Sequence, residues 1–301
     1  MKALLTLLIP LLLVSNASSQ ERRHHLPPAP EPTHADVPYG SHENQVFDLW
    51  LVEDAPSPTP LVIYIHGGGF KGGSKNSVSP GSILKLRDAG ISVASLEYRF
   101  IQDAKLPAAH QDCARAIQFL RSRAREWNID KNRIGATGGS AGAQLCMYLA
   151  FHDEMADPEG EDAIARESTR LAAVATSGGQ ATMDLEWWSG VIPGYTTPHR
   201  SISEYFGDLD NAALAGIIKE VSALDLLSKG DPPVHMTYRM SPEEPVPEGK
   251  GARGWQIHHV AFGQALQKKA NQLGVENHLV YPGAPAVPWP NATLFFIDKL
   301  K

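Results

Sequence analysis

The chain has 301 residues, 43% hydrophobic and 20% charged, with a formal net charge of −6. That supplies apolar material for one large α/β domain or two small ones, and the acidic balance argues against a nucleic-acid partner held on a basic surface. Two cysteines, Cys113 and Cys146, are too few for a disulfide framework and read as packed, reduced thiols.

Residues 1–19 have the layout of a secretory signal. Lys2 precedes an apolar stretch from Ala3 to Val14, broken only by Thr6 and Pro10, and Ala17-Ser18-Ser19 supplies small residues for cleavage. The stretch is shorter than the roughly 20 residues that span a bilayer, so a stable membrane anchor is not expected. Cleavage before Gln20 and a secreted or periplasmic location are. Residues 20–44, rich in proline and polar residues, are expected to be a linker, with His24, His25 and His34 in a solvated tail.

Beyond residue 44 the chain alternates between two patterns. QVFDLWLV (45–52) alternates like a strand, and APSPTP breaks it. LVIYI (61–65) and ISVASLEY (91–98) suit buried strands, and SILKLRDAG between them has helical spacing that stops at Gly90. Residues 108–127 form the clearest helix, with Cys113, Ala116, Ile117, Leu120 and Ala124 on one face. RIGAT leads into Gly138-Gly139-Ser140, and AGAQLCMYLAF continues as a helix. LAAVAT (171–176), PPVHMTY (232–238) and NHLVY are further strands, HHVAFGQALQKKANQLG is a helix that begins at His258 and ends at Gly274, and NATLFFIDKLK is a last helix. Such alternation gives an α/β fold, a mostly parallel sheet with helices on both faces, with 152–170 and 180–222 as inserts over it.

Two motifs carry chemistry. Gly138-Gly139-Ser140-Ala141-Gly142 has the spacing G-x-S-x-G just after a strand and just before a helix. In that context the small residues allow a sharp turn that lifts the serine hydroxyl to the C-terminal edge of the sheet. His66-Gly67-Gly68-Gly69-Phe70 follows the strand LVIYI, and glycines there let backbone N–H groups approach a developing oxyanion. A phosphate-binding loop is the competing reading, but the Gly-Lys-Ser/Thr ending is lacking.

HGGGF and GGSAG at this separation, with LEYRF and LPAAHQDCARAIQFL between them, resemble the α/β-hydrolases of the hormone-sensitive-lipase-like and acetylxylan/feruloyl-esterase-like kind. The resemblance covers roughly residues 45–301 and implies an α/β-hydrolase fold. It also implies Ser140 as nucleophile and an oxyanion hole built from the amides of Gly68, Gly69 and Ala141. The substrate it implies is a small-molecule or carbohydrate ester, with acetyl or feruloyl esters of polysaccharide as the family's range; no metal or organic cofactor is implied.

The chain departs from the family at the remaining two positions. Glu243, with Glu244 beside it, stands where the family has its acid after the strand PPVHMTY. LVYPGAPAVPWP matches the turn that normally carries the histidine, but the position is Ala286, and no histidine follows His278. Loss of the base alone costs a serine hydrolase on the order of a millionfold, so another imidazole must serve or the chain is not a competent hydrolase. His258 or His259 is the best-placed replacement, because a helix after a parallel strand starts near that strand's C-terminal edge. Trp187 and Trp188, in the 180–222 insert, are candidates to hold the substrate, and Trp289 to fill the space of the missing imidazole. The alternative is a ligand-binding protein on the same scaffold; plant gibberellin receptors resemble this family and also lack the histidine.

Overall fold

The computed structural model describes residues 30–301. The expected signal at 1–19 and the first ten linker residues lie outside that range. In chain order the elements are β1 His34–Pro38, β2 Val46–Trp50, β3 Thr59–Ile65, α1 Pro80–Asp88, β4 Ser92–Leu96, α2 Ala108–Ser122, β5 Ile129–Gly139, α3 Ala141–Phe151 and β6 Ala173–Ser177. Then follow α4 Leu185–Val191, α5 Ile202–Phe206, α6 Asn211–Glu220, α7 Ala223–Leu226, β7 Val234–Thr237, α8 Gly251–Ile257, α9 Ala261–Leu273, β8 Asn277–Val280 and α10 Ala292–Leu300.

The eight strands form one sheet in the order β1-β2-β4-β3-β5-β6-β7-β8. β1 and β2 are antiparallel to their neighbours, and the six strands from β4 to β8 run parallel. The central strands are apolar on both faces because helices cover both: Leu61, Val62, Ile63 and Ile65 of β3 are all fully buried. One core lies under α2, α3 and α9, and a smaller one lies on the other face around Phe295 and Phe296 of α10. Cys113 and Cys146 are free and buried in the larger core, where burial pushes both thiols well above their ordinary pKa.

Two expectations need correction. Residues 34–38, placed in the linker, are an edge strand paired with β2, and His34 packs against Trp127 with ring centroids 5.7 Å apart. The proline content there is compatible with an edge, which leaves half its backbone groups unpaired. The second concerns His258. It does not begin a helix; it caps the C-terminus of α8, and the next helix starts at Ala261. The short helix Gly251–Ile257 carries His258 at its end. The insert 180–222 does reach the site, where Trp188 of α4 and Tyr205 of α5 line the same cavity as Ser140. The segment 152–170 has no regular element and is fastened by side chains, with Gln118 Nε2 donating to the carbonyls of Ala165 and Glu167.

Candidate active site

Ser140 stands between β5 and α3 with φ 55° and ψ −123°, a left-handed conformation that costs a non-glycine residue about 1–2 kcal/mol. The strain is held in place by its surroundings. Ser140 N–H donates to Ser177 O at 2.9 Å, tying the turn to the end of β6. Gly142 makes the close approach possible, since a Cβ there would meet Ile65 O at 2.0 Å. The turn therefore requires glycine at 142 for a steric reason, as the G-x-S-x-G spacing implied.

The loop after β3 is fixed by His66. Its Nε2 lies 2.9 Å from Glu97 Oε2, its Nδ1 lies 2.7 Å from Gly67 O, and Tyr98 OH donates to its carbonyl at 2.9 Å. Gly68 and Gly69 then adopt φ values of 112° and 62°, and a Cβ at Gly68 would meet Gly72 O at 2.0 Å. The amides of Gly68 and Gly69 donate to no protein acceptor among the described residues. Ala141 is the first residue of α3, so its N–H has no partner within the helix. All three residues line one cavity of about 440 Å³ together with Ser140.

His258 Nε2 lies 2.9 Å from Ser140 Oγ. Its Nδ1 lies 2.8 Å from the carbonyl oxygen of Gly254. A carbonyl only accepts, so Nδ1 carries the proton and Nε2 presents its lone pair to the serine hydroxyl. The carbonyl is available because the helix ends: the last four C=O groups of a helix lack intrahelical partners, and His258 N–H bonds to Trp255 O instead. Gln180 Nε2 donates to Ile257 O and fastens the backbone beside the imidazole. Gly178, with φ 57°, leaves room on the other side, since a Cβ there would lie 3.3 Å from His258 Cδ2. Burial lowers the His258 pKa; the bond to Gly254 O opposes it in part, and the nearby Arg239 guanidinium adds a smaller lowering effect.

The other expected residues lie elsewhere. Glu243 is exposed and makes no side-chain hydrogen bond or ion pair among the described residues, so it does not orient His258. The position was inferred from the family's acid, which serves an imidazole arriving from the turn after β8; here the imidazole arrives from α8 with its own acceptor. Glu244 acts only through space on His259. His259 is buried against Trp255, with ring centroids 4.4 Å apart, and its Nδ1 accepts from Ala261 N–H, so it does not reach the serine.

Trp188 lines the Ser140 cavity with its indole N–H bonded to Thr182 O, but Trp187 stacks on Phe262 at 5.3 Å and lines neither cavity beside the serine. Ala286 is exposed. Trp289 packs on His278 and Phe295, against the smaller core, and does not occupy the place of an imidazole.

Several residues at the site had no sequence signal. Gly254, Gly178 and Gln180 act through backbone geometry or backbone contacts, and His199, Arg200, Tyr205 and Arg239 come from segments whose course only the fold reveals. A second cavity of about 410 Å³, lined by Arg239, Met240 and Trp255, shares Ser140 and His258 with the first. The Ser140–His258 pair thus stands at the junction of two cavities, an arrangement suited to a substrate with two arms. Among the described residues, no group of three or more His, Cys, Asp or Glu is placed to hold a metal.

A family model, BD-FAE, matches residues 47–244, about two thirds of the chain. The chain belongs to the BD-FAE family. The match ends before His258 and Ala286, so it spans Ser140 and the loop 66–70 but neither of those positions. Among curated proteins, the BD-FAE chain is 28% identical over 151 residues to a probable isoprenylcysteine alpha-carbonyl methylesterase of Arabidopsis thaliana, covering 50% of this chain and 35% of that one. It is 30% identical over 132 residues to esterase LipC of Mycobacterium tuberculosis, covering 42% and 33%. It therefore spans about a third of the length of these curated relatives.

Two solved structures are similar in fold. A truncated carbohydrate esterase from gut microbiota has a TM-score of 0.67 at 20% identity, covering 88% of this chain and 95% of that one. An acetyl ester-xyloside bifunctional hydrolase from Caldicellulosiruptor lactoaceticus has a TM-score of 0.63 at 23% identity, covering 85% and 87%. The α/β-hydrolase architecture of the BD-FAE chain is thus shared with known esterases.

Proposed function

We propose that this BD-FAE member hydrolyses carboxylic esters by a Ser140–His258 dyad. The observation that carries the reading is the 2.9 Å contact from His258 Nε2 to Ser140 Oγ, with the Nδ1 proton already committed to Gly254 O. Ser140 Oγ attacks the ester carbonyl carbon while His258 Nε2 takes its proton. The carbonyl oxygen becomes an oxyanion facing the amides of Gly68, Gly69 and Ala141, each worth about 3 kcal/mol in such a position. Collapse breaks the bond to the alcohol oxygen, which receives the proton from His258. Water then attacks the acyl-enzyme, giving its proton to His258, and Ser140 is restored as the acid departs.

The Gly254 carbonyl fixes the tautomer of His258 as a carboxylate would, but it carries only a partial charge against the imidazolium that forms. A dyad of this kind is expected to turn over, and more slowly than a full triad. The relatives' names, carbohydrate esterase and acetyl esterase among them, support small acyl groups on a carbohydrate as substrate. The layout of residues 1–19 supports export of the mature chain. A second reading, a binder without turnover, is favoured by the absence of both family partners, at Ala286 and Glu243. Hydrolysis of 4-nitrophenyl acetate by the wild-type protein, beside Ser140→Ala and His258→Ala, decides between them. Turnover lost in both variants supports the dyad, and turnover unchanged in Ser140→Ala overturns it.

A further inference from the structure

The cavity on the oxyanion-loop side has polar groups that the hydrolytic steps do not use. His199 sits between two tyrosines: Nδ1 lies 2.9 Å from Tyr195 OH and Nε2 lies 2.9 Å from Tyr205 OH. Burial, then the charges of Arg200 and Arg253, push its pKa down to about 4, so it carries a single proton near neutral pH. The buried Tyr195 hydroxyl already accepts from His199 N–H at 3.2 Å, and among the described residues the only acceptor beside it is His199 Nδ1. Leaving that hydroxyl hydrogen unpaired would carry a desolvation cost, so Tyr195 donates to Nδ1. The proton of His199 is then on Nε2 and goes to Tyr205 OH.

The consequence falls on Tyr205. Its oxygen accepts from His199, its own hydrogen has no protein acceptor among the described residues, and the residue lines the cavity that contains Ser140. Burial pushes its pKa up to about 12, so the hydrogen stays on. Tyr205 is a donor waiting for an acceptor.

Arg200 lines the same cavity. Its guanidinium lies 5.2 Å from the centre of the Tyr205 ring, Nη1 donates to Gly69 O, and Nε lies 3.3 Å from Glu204 Oε1. The guanidinium also lies close enough to the Tyr205 hydroxyl oxygen to act on it as a donor, which leaves the hydroxyl hydrogen available. The guanidinium can lie this close to the loop because residue 69 has no side chain: a Cβ there would be 3.1 Å from both terminal nitrogens. Lys71 Nζ reaches Glu204 Oε1 at 2.7 Å, and Lys105 Nζ donates to the backbone carbonyl of Glu204 at 3.1 Å. Two cations therefore share one carboxylate with a third close by, in a chain whose net charge is −6.

We propose that Tyr205 and Arg200 form a carboxylate-binding subsite beside Ser140, so that the ester this protein cleaves carries a free carboxylate on the arm seated in that cavity. The assignment rests on the ester-hydrolase reading for its link to turnover. It follows from the donor balance: the Tyr205 hydroxyl hydrogen and the Arg200 guanidinium offer hydrogens and a positive charge, and a carboxylate, with two oxygens and a negative charge, answers both.

The test uses boronic acids, which add to a nucleophilic serine. Calorimetric titration of the wild-type protein with phenylboronic, 3-carbamoylphenylboronic and 3-carboxyphenylboronic acids gives the contribution of the carboxylate as a ratio of Kd values. The carboxylate is expected to bind on the order of tenfold tighter than the neutral pair, and the advantage to vanish in Arg200→Gln and shrink in Tyr205→Phe. The ratio within each variant cancels any disturbance of the Gly69 loop common to all three compounds. Equal Kd values in the wild-type protein, binding of none included, or an advantage retained in Arg200→Gln, overturns the subsite. Failure of the esterase reading has a separate signature, 4-nitrophenyl acetate hydrolysis that survives Ser140→Ala.

Discussion

His258 Nδ1 donates to the carbonyl of Gly254 four residues earlier, at 2.8 Å, while Nε2 of the same ring faces Ser140 Oγ at 2.9 Å. The end of a seven-residue helix thus supplies the orienting acceptor, and the base and its support come from one short segment.

Substitutions separate the two adjacent histidines. Ser140→Ala and His258→Ala are each expected to lower kcat/KM for a short-chain activated ester by on the order of 10⁴-fold or more. His259→Ala removes a buried ring stacked on Trp255, so its cost falls on stability, and a lowered urea midpoint with residual Ser140-dependent turnover is expected. Equal losses of activity at 258 and 259 would contradict the assignment.

Glu243→Gln is expected to leave kcat/KM within about threefold of wild type, since an exposed carboxylate without a partner contributes little at this distance. A hundredfold loss would mean that the glutamate reaches the imidazole during turnover.

The pH profile has a definite sign. His258 must be neutral to accept the serine proton, and burial together with Arg239 lowers its pKa. The acidic limb of kcat/KM should therefore lie below the ordinary histidine value of about 6.5. Arg239→Gln removes a cation that disfavours the imidazolium, so the limb should move to higher pH. Stopped assays from pH 4 to pH 8 read both, and a shift to lower pH in the variant would refute the electrostatic account.

Gly178 offers a steric test. Alanine there must hold a φ of 57° and place a Cβ 3.3–3.4 Å from the His258 ring and Cβ. Gly178→Ala is expected to lower kcat more than it changes KM, by displacing the base while leaving both cavities open. A change confined to KM would argue against that.

Stability should fall on acidification through His110. Its Nε2 bonds Gln144 Oε1 at 2.8 Å, its Nδ1 is buried without a partner among the described residues, and burial lowers its pKa to about 3. The unfolded chain takes up the proton first, near pH 6.5, so this contribution is complete above that pH. It is lost as pH falls toward 3, by up to roughly 1.4 kcal/mol per pH unit. Urea midpoints at pH 7 and pH 4.5 should differ more in the wild-type protein than in His110→Gln.

Local pattern and spacing made most of the fold legible. The apolar runs at 61–65 and 91–98, the amphipathic 108–127 and the glycines around Ser140 each carry a signal within a few residues of the chain, because strand burial, helix faces and tight turns are local constraints. The edge strand His34–Pro38 was not legible, since it lies in a proline-rich segment, 20–44, that resembles a linker, and its pairing with β2 is set by the tertiary fold.

The sequence by itself determined that a serine stands on a turn between a strand and a helix, opposite a glycine loop with free amides. It also determined that the family's histidine is absent at Ala286, and it narrowed the replacement to residues 258 and 259. Only the tertiary structure decided between them and removed Glu243. Which imidazole nitrogen meets a hydroxyl 118 residues away depends on where α8 ends, which carbonyl that end leaves free, and how Gln180 and Gly178 hold the ring. None of these is a property of neighbouring residues in the chain. Helix ends, backbone acceptors and cavity walls are set by packing, which brings distant segments together.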